Sequence, residues 1–256
     1  MGSESVAADL RAARQDSSVK AIILRVDSPG GSAVGSEIIR REVQLASKEK
    51  PLIVSMSDVA GSGGYWISMS GKRILADPST LTASIGVVYG KMNISGLYSL
   101  LGLSTDSVQT SENAGINDTQ HNFTPAQKEI VMKSMQSIYD NFTKGVAEGR
   151  NMKLEEVLKI AKGRVWTGGQ AKALGLVDEI GGFDRALAIA RSEAKLDASA
   201  KIQIVRYPEE KPWWAALLGK EDSQAVRSLA LGAEIRRIMN QSRVVETRIP
   251  LELTIR

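Results

Sequence analysis

The chain has 256 residues, 43% hydrophobic and 24% charged, enough apolar content for one large domain or two small ones. Its net charge of +4 is scattered, with no basic block interleaved with aromatics, which argues against nucleic-acid binding. There is no cysteine and one histidine, His121, so disulfides, thiolate nucleophiles, cysteine-based zinc sites and His-rich metal sites are excluded, and no cofactor is expected.

The first elements alternate in type. Val6, Leu10 and Ala13 share a helical face. The run Val19 to Val26 is short, β-branched and nearly continuous, which predicts a buried strand. It ends in the turn Asp27-Ser28-Pro29-Gly30-Gly31-Ser32, and helical spacing resumes from Ser36 to Ala46. Leu52 to Met56 is a second apolar strand, followed by the turn Ala60-Gly61-Ser62-Gly63-Gly64 and a helical stretch from Tyr65 to Met69. Arg73 to Ala76 is a third strand, Asp77 to Thr80 a turn, and Ile85 to Val88 a fourth strand. Strand, glycine turn, helix and strand in this rhythm predict βαβ crossovers and a parallel sheet.

The second half reads differently. Residues 104–122 are polar throughout and predict a long exposed loop. Thr124 as N-cap and Pro125 in the first turn start a helix that runs to about Glu148, with Ile130, Met135, Ile138 and Phe142 on its inner side. Helices follow at Lys153–Lys162, Gln170–Ala173 and Asp184–Ala194. Beyond residue 200 come a Pro-Trp-Trp segment, an amphipathic stretch at 222–240 and an alternating tail ending at Ile255. We divide the chain into a domain over residues 1–195 and an extension of unknown role over 196–256. No apolar run reaches the ~18 residues of a membrane span and no signal-peptide pattern opens the chain, so it is expected to be soluble. Met1-Gly2-Ser3 reads as an expression remnant or the cut end of a longer protein.

Two glycine turns carry the chemical interest. The Gly30-Gly31 turn lies between strand and helix, where free N–H groups favour a developing negative charge. It lacks the GK[ST] ending of a phosphate loop, which argues against nucleotide binding. The second turn sets Ser62 among small residues, so a substrate backbone can approach and the Ser62 and Gly63 amides can join an oxyanion site. Its spacing is not G-x-S-x-G. Either turn alone is weak; as neighbouring strand-to-helix turns they can face each other across one site. A nucleophilic serine needs a base. His121 is the one histidine; Lys91, Lys72 and Lys128 are the lysines nearest in the chain, and none has a local signature.

Four stretches in order, VKAIILRVDSPGGS, SMSDVAGSGGYWISM, ADPSTLTASIGV and RVWTGGQAKALGLVDEIGG, resemble peptidase family S49, signal peptide peptidase A (protease IV). The resemblance spans about residues 5 to 195 and is strongest to the C-terminal, serine-bearing half of the two-repeat long form. It implies an α/β fold of ClpP/crotonase type, with repeated β-β-α and βαβ units, a parallel sheet and a C-terminal helical appendage. It also implies cleavage of spent signal peptides by a Ser–Lys dyad and oligomers held at the outer, periplasmic face of the bacterial membrane by a segment not in this sequence. Residue by residue, Ser62 matches the nucleophile, with Gly61 where alanine is usual. Gly30 and Gly31 match the oxyanion-hole turn, to which the Gly63 amide is expected to contribute. Ser84 matches the serine beside the lysine amine, with Ala83 where glycine is commoner. Tyr65 is expected to touch substrate, together with Trp66 in an apolar groove suited to hydrophobic peptides.

One departure stands out. Short-form members carry the lysine in the loop that here reads Thr110 to Asp118, and no lysine occurs from 92 to 127. The lysine is therefore expected from an N-terminal half or a neighbouring subunit. The alternatives are a crotonase-like acyl-CoA enzyme and a catalytically silent assembly subunit.

Overall fold

The computed structural model describes residues 2–197 and 200–208. The Pro-Trp-Trp segment, the amphipathic stretch at 222–240 and the alternating tail lie outside the described residues, and so does any helical appendage they form. The fold is mixed α/β, built on a six-stranded, mostly parallel sheet.

Helix α1 (Ser3–Gln15) leads to β1 (Ile22–Ser28), α2 (Ala33–Glu49), β2 (Leu52–Gly61) and α3 (Gly63–Ser68). Then come β3 (Arg73–Ala76), β4 (Leu81–Ala83), α4 (Ser95–Leu100) and α5 (Pro125–Arg150). The described chain continues through α6 (Leu154–Ile160), β5 (Val165–Thr167), α7 (Gly168–Ala173), β6 (Glu179–Ile180) and α8 (Phe183–Glu193).

Strand alternation sorts the core into two faces, because successive side chains of a strand point to opposite sides. Ile22, Leu24 and Val26 of β1, Leu52, Val54 and Met56 of β2, and Ile74 of β3 pack with α1, α2, α3 and the end of α5. Their odd-numbered neighbours Ile23, Ile53 and Leu75 pack instead against Ala186 and Ala190 of α8. Leu196, Ile202 and Tyr207 also lie against these clusters, so the packed body extends past residue 195. Helices α1 and α2 are clamped by Arg11 on Glu42 and Arg14 on Glu49, each at 2.6 Å.

Strand β2 organises the site. Its first half pairs with β1 on one side and, at Ile53–Ser55, with β3 on the other. Past Asp58 it changes partner, and Val59, Ala60 and Gly61 pair with Leu81, Thr82 and Ala83 of β4. The register between β1 and β2 shifts between Val26 and Ser28 at the same level. The sheet thus bends where the two glycine turns leave it.

Three expectations change. The fourth strand is Leu81–Ala83 and not Ile85–Val88, because Ala83 and Ser84 adopt positive φ (67° and 48°) and turn the chain out of the sheet. The sheet is not wholly parallel: β5 pairs antiparallel with β4. The polar excursion is preceded by α4, whose six residues bury no side chain. The start of α5 is as expected, with Thr124 and Gln127 forming a reciprocal capping box behind Pro125.

Candidate active site

Ser62 stands where β2 ends and α3 begins, with φ 50° and ψ −116°. That backbone lies outside the regions open to an L-residue and costs on the order of 1–3 kcal/mol, so its surroundings must hold it. They do so from both sides. The Ser62 N–H donates to the Ala83 carbonyl at 2.7 Å, and the Ser62 carbonyl accepts from the Trp66 N–H at 2.9 Å. The turn is pinned, and the side chain is left partly exposed.

The Gly30-Gly31 turn lies directly against it. A β-carbon on Gly30 (φ 116°) would sit 2.7 Å from the Ser62 Cβ and 2.8 Å from the Gly63 nitrogen. One on Gly63 would stand 2.5 Å from the Ser36 Oγ and 3.2 Å from the Gly31 nitrogen. Glycine at both positions is what lets the two turns meet.

The hydrogen bonds sort the four nearby amides. The Ser62 N–H is committed to Ala83, which corrects the expectation that it joins the oxyanion site. The Gly30 N–H donates to the Ser28 Oγ at 3.2 Å, so Gly30 belongs to the turn through its backbone shape and not as a free donor. Gly31 and Gly63 N–H groups make no hydrogen bond among the described residues, and they stand next to each other beside Ser62. A pair of unspent donors at a strained serine is suited to stabilising an oxyanion.

Ser84 lies on the other side of Ser62, its Cβ 3.6 Å from where a β-carbon on Gly61 would stand. Its own N–H is held by the Arg164 carbonyl at 2.9 Å. The structure therefore brings Ser62, Gly30, Gly31, Gly63 and Ser84 together.

A cleft of about 720 Å³ opens over Ser62. One wall is Val34 and Trp66, a second is Val87, Val88 and Tyr89 with Ile116 and Asn117, and a third is Ile130, Met135 and Ile138 of α5. Among the described residues its lining includes no Lys, Arg, His, Asp or Glu. The α5 stripe was expected to face the core. Phe142 does so and Ile138 packs against the edge of the core, whereas Ile130 is 44% exposed and borders the cleft with Met135. Periodicity alone does not distinguish a cleft wall from a core face.

None of the bases nearest in the chain lines this cleft. Lys72 pairs with Glu193 at 2.6 Å. Lys128 is on the exposed side of α5. The Lys91 ammonium lies against Asp118 at 3.7 Å and over the Phe123 ring at 4.8 Å. His121 is exposed and sits 3.4 Å from Asp118, whose carboxyl is held below its ordinary value, first by the His121 backbone N–H.

Tyr65 is a correction. It is fully buried and donates from its hydroxyl to the Leu176 carbonyl at 2.8 Å, so it cannot reach a substrate. Burial also pushes its phenol well above the ordinary value. The neighbour Trp66 faces the cleft instead, its ring nitrogen donating to Glu37 at 2.8 Å and its ring against Phe142. Ser28 and Ser36, which brace the two turns, escaped the sequence reading. Their signal was faint: two serines flanking a Pro-Gly-Gly turn, one of them one helical turn past Ser32.

Residues 44–197 match the model of a family described as Peptidase family S49. The chain is 46% identical over 198 residues to Protease 4 of Salmonella typhi, covering 77% of this chain and 32% of that protein. It is 43% identical to Protease 4 of Haemophilus influenzae, covering 73% of this chain and 30% of that one. To the chloroplastic serine protease SPPA of Arabidopsis thaliana it is 37% identical, covering 79% of this chain and 30% of the relative. The chain thus spans about a third of the length of these relatives.

Proposed function

The chain belongs to peptidase family S49, and we propose that it is the nucleophile-bearing part of a serine endopeptidase whose general base is a lysine supplied by another half or subunit. The observation that carries this reading is Ser62 itself, strained into a turn beside the Gly31 and Gly63 N–H groups, which are uncommitted among the described residues, in a cleft whose described lining is uncharged.

In this reading a peptide lies along the cleft with a carbonyl at Ser62. The Ser62 Oγ attacks the carbonyl carbon as its proton passes to the neutral lysine amine. The negative charge on the carbonyl oxygen is met by the Gly31 and Gly63 N–H groups, while Gly30 shapes the turn. Such preorganised donors are worth about 10²- to 10³-fold in rate each. The lysine ammonium then protonates the leaving amine, and a water activated by the same amine releases the acyl group. An apolar cleft favours the neutral amine, because desolvation lowers a lysine pKa. Ser84, next to Gly61, would orient that amine. The wall of Val34, Trp66, Val88 and Ile138 suits extended apolar segments such as spent signal peptides. Retention at the outer face of a bacterial membrane through a segment elsewhere, and assembly of several copies, complete the proposal. Among the described residues no helix is long and apolar enough to cross a membrane.

The cleft lining also includes no carboxylate among the described residues, which an acyl-CoA enzyme forming an enolate would use. A fluorophosphonate probe tests the reading. We expect the purified chain to label weakly and to label strongly once a lysine-bearing half is added, with all labelling lost in Ser62→Ala. Strong labelling of the chain alone would move the base into this chain, and labelling that survives Ser62→Ala would remove Ser62 as the nucleophile.

A further inference from the structure

The mechanism leaves one buried charge unused. The Lys91 side chain is only 7% exposed, yet among the described residues its ammonium makes no hydrogen bond. It is held by charge and by an aromatic face: Asp118 at 3.7 Å and the Phe123 ring at 4.8 Å. Asp118 is fixed in turn by the backbone N–H groups of Gln120 at 2.9 Å and His121 at 3.0 Å.

These residues tie two arms of one cleft wall. The Tyr89 hydroxyl and Asn117 Oδ1 meet at 2.6 Å, the Asn93 amide donates to Asn122 at 3.0 Å, and the Ile94 N–H donates to the Thr119 carbonyl at 2.8 Å. Tyr89 and Asn117 both line the cleft over Ser62. No residue from 86 to 126 is buried, so this wall has no core to locate it and depends on links between its arms. The Tyr89–Asn117 and Asn93–Asn122 links are exposed to water, where hydrogen bonds contribute little net. Lys91 is the shielded one, and an ion contact out of water is stronger than one in it.

We infer that Lys91 is a positioning residue of the Ser62 cleft: its buried ammonium locks residues 89–94 to 117–123 and so sets where Tyr89 and Asn117 stand. The inference about substrate rests on the peptidase reading; the one about the wall does not.

Two measurements on the full chain test it. In Lys91→Met, which keeps a flexible side chain on the Phe123 ring, hydrogen exchange of the Ile94 amide should quicken roughly tenfold while the Val54 amide in β2 is unchanged. Lys91→Arg should stay within about twofold of the parent. An unchanged Ile94 rate, or equal acceleration at Ile94 and Val54, would overturn the proposal. In a Ser62→Ala background, a fluorescent leucine-rich peptide should bind about fivefold more weakly to Lys91→Met, and Asp118→Asn should weaken it no further when combined. Equal affinity would sink the substrate half of the inference. No binding by Ser62→Ala itself would count against the peptidase reading, and the Ile94 rate alone would then decide the role of Lys91.

Discussion

On the Ser62 side of the cleft each backbone turn is wedged against another: Gly30 on Ser62, Gly63 on Ser36 and Gly31, all seated on strands buried on both faces. On the far side, from residue 86 to residue 126, no apolar residue is buried, although the stretch contains Val88, Met92, Leu97, Leu100, Leu101 and Leu103, each more than half exposed. One wall is overdetermined by the core, and the other is held by a few links between its own arms. The chemistry proposed for Ser62, which needs close placement, sits on the first. The second has little core to hold it, which would suit the part of the proposed peptidase cleft that meets varied peptides.

The sharpest way to break that comparison is at Gly30. Its positive φ strains any other residue, and a valine there would push into Ser62 and the Gly63 amide. We expect Gly30→Val to lower turnover of the reconstituted enzyme by about 10²- to 10³-fold, the scale of losing an oxyanion donor. The backbone strain itself costs on the order of 1–3 kcal/mol. Thermal melting and turnover measured on one preparation separate the two, and a loss of turnover no larger than the loss of folded protein would make the turn purely structural.

Tyr65 sharpens the contrast between a residue near the site and a residue in it. Removing its hydroxyl leaves the Leu176 carbonyl unpaired in the interior. Tyr65→Phe should therefore cost about 1–3 kcal/mol of stability in urea denaturation, while peptide affinity stays within roughly twofold. A marked loss of affinity at unchanged stability would restore Tyr65 to the substrate surface.

The same contrast explains what the sequence made legible. The buried strands were readable because a β-branched apolar run bounded by glycine turns has few other uses: the run Val19 to Val26 overlaps β1 from Ile22 on, and Leu52 to Met56 lies within β2. The two turns were readable as a pair because their glycines are required by close approach. The misplaced strand at Ile85–Val88 failed because an apolar run along a cleft wall looks like one inside a sheet. Tyr65 failed for a related reason: three residues past Ser62, a side chain on α3 can point either to the cleft or to the core. Nothing local in the sequence fixes that choice, which depends on where Leu176 offers a carbonyl. The Lys91 contacts were hidden because their partners lie about thirty residues away across a loop with no pattern.

The smallest effect is expected at Gly96, inside α4, and its sign is what matters. A β-carbon there meets nothing within 4 Å, and its backbone carries no positive φ. Replacing glycine by alanine within a helix gains about 0.5–1 kcal/mol of local helix stability, because glycine loses more backbone freedom on folding. If the far wall is independent of the core, that gain should appear as slower hydrogen exchange in residues 95–101 with no change in the global melting temperature. The core amides exchange only by global unfolding, which a local gain in an uncoupled segment does not reach. Peptide affinity should then shift by less than about twofold, since Leu97 and Leu100 on α4 are not part of the cleft lining. A rise in global stability equal to the local one would show instead that α4 unfolds together with the sheet, and the two walls would have to be treated as one cooperative unit.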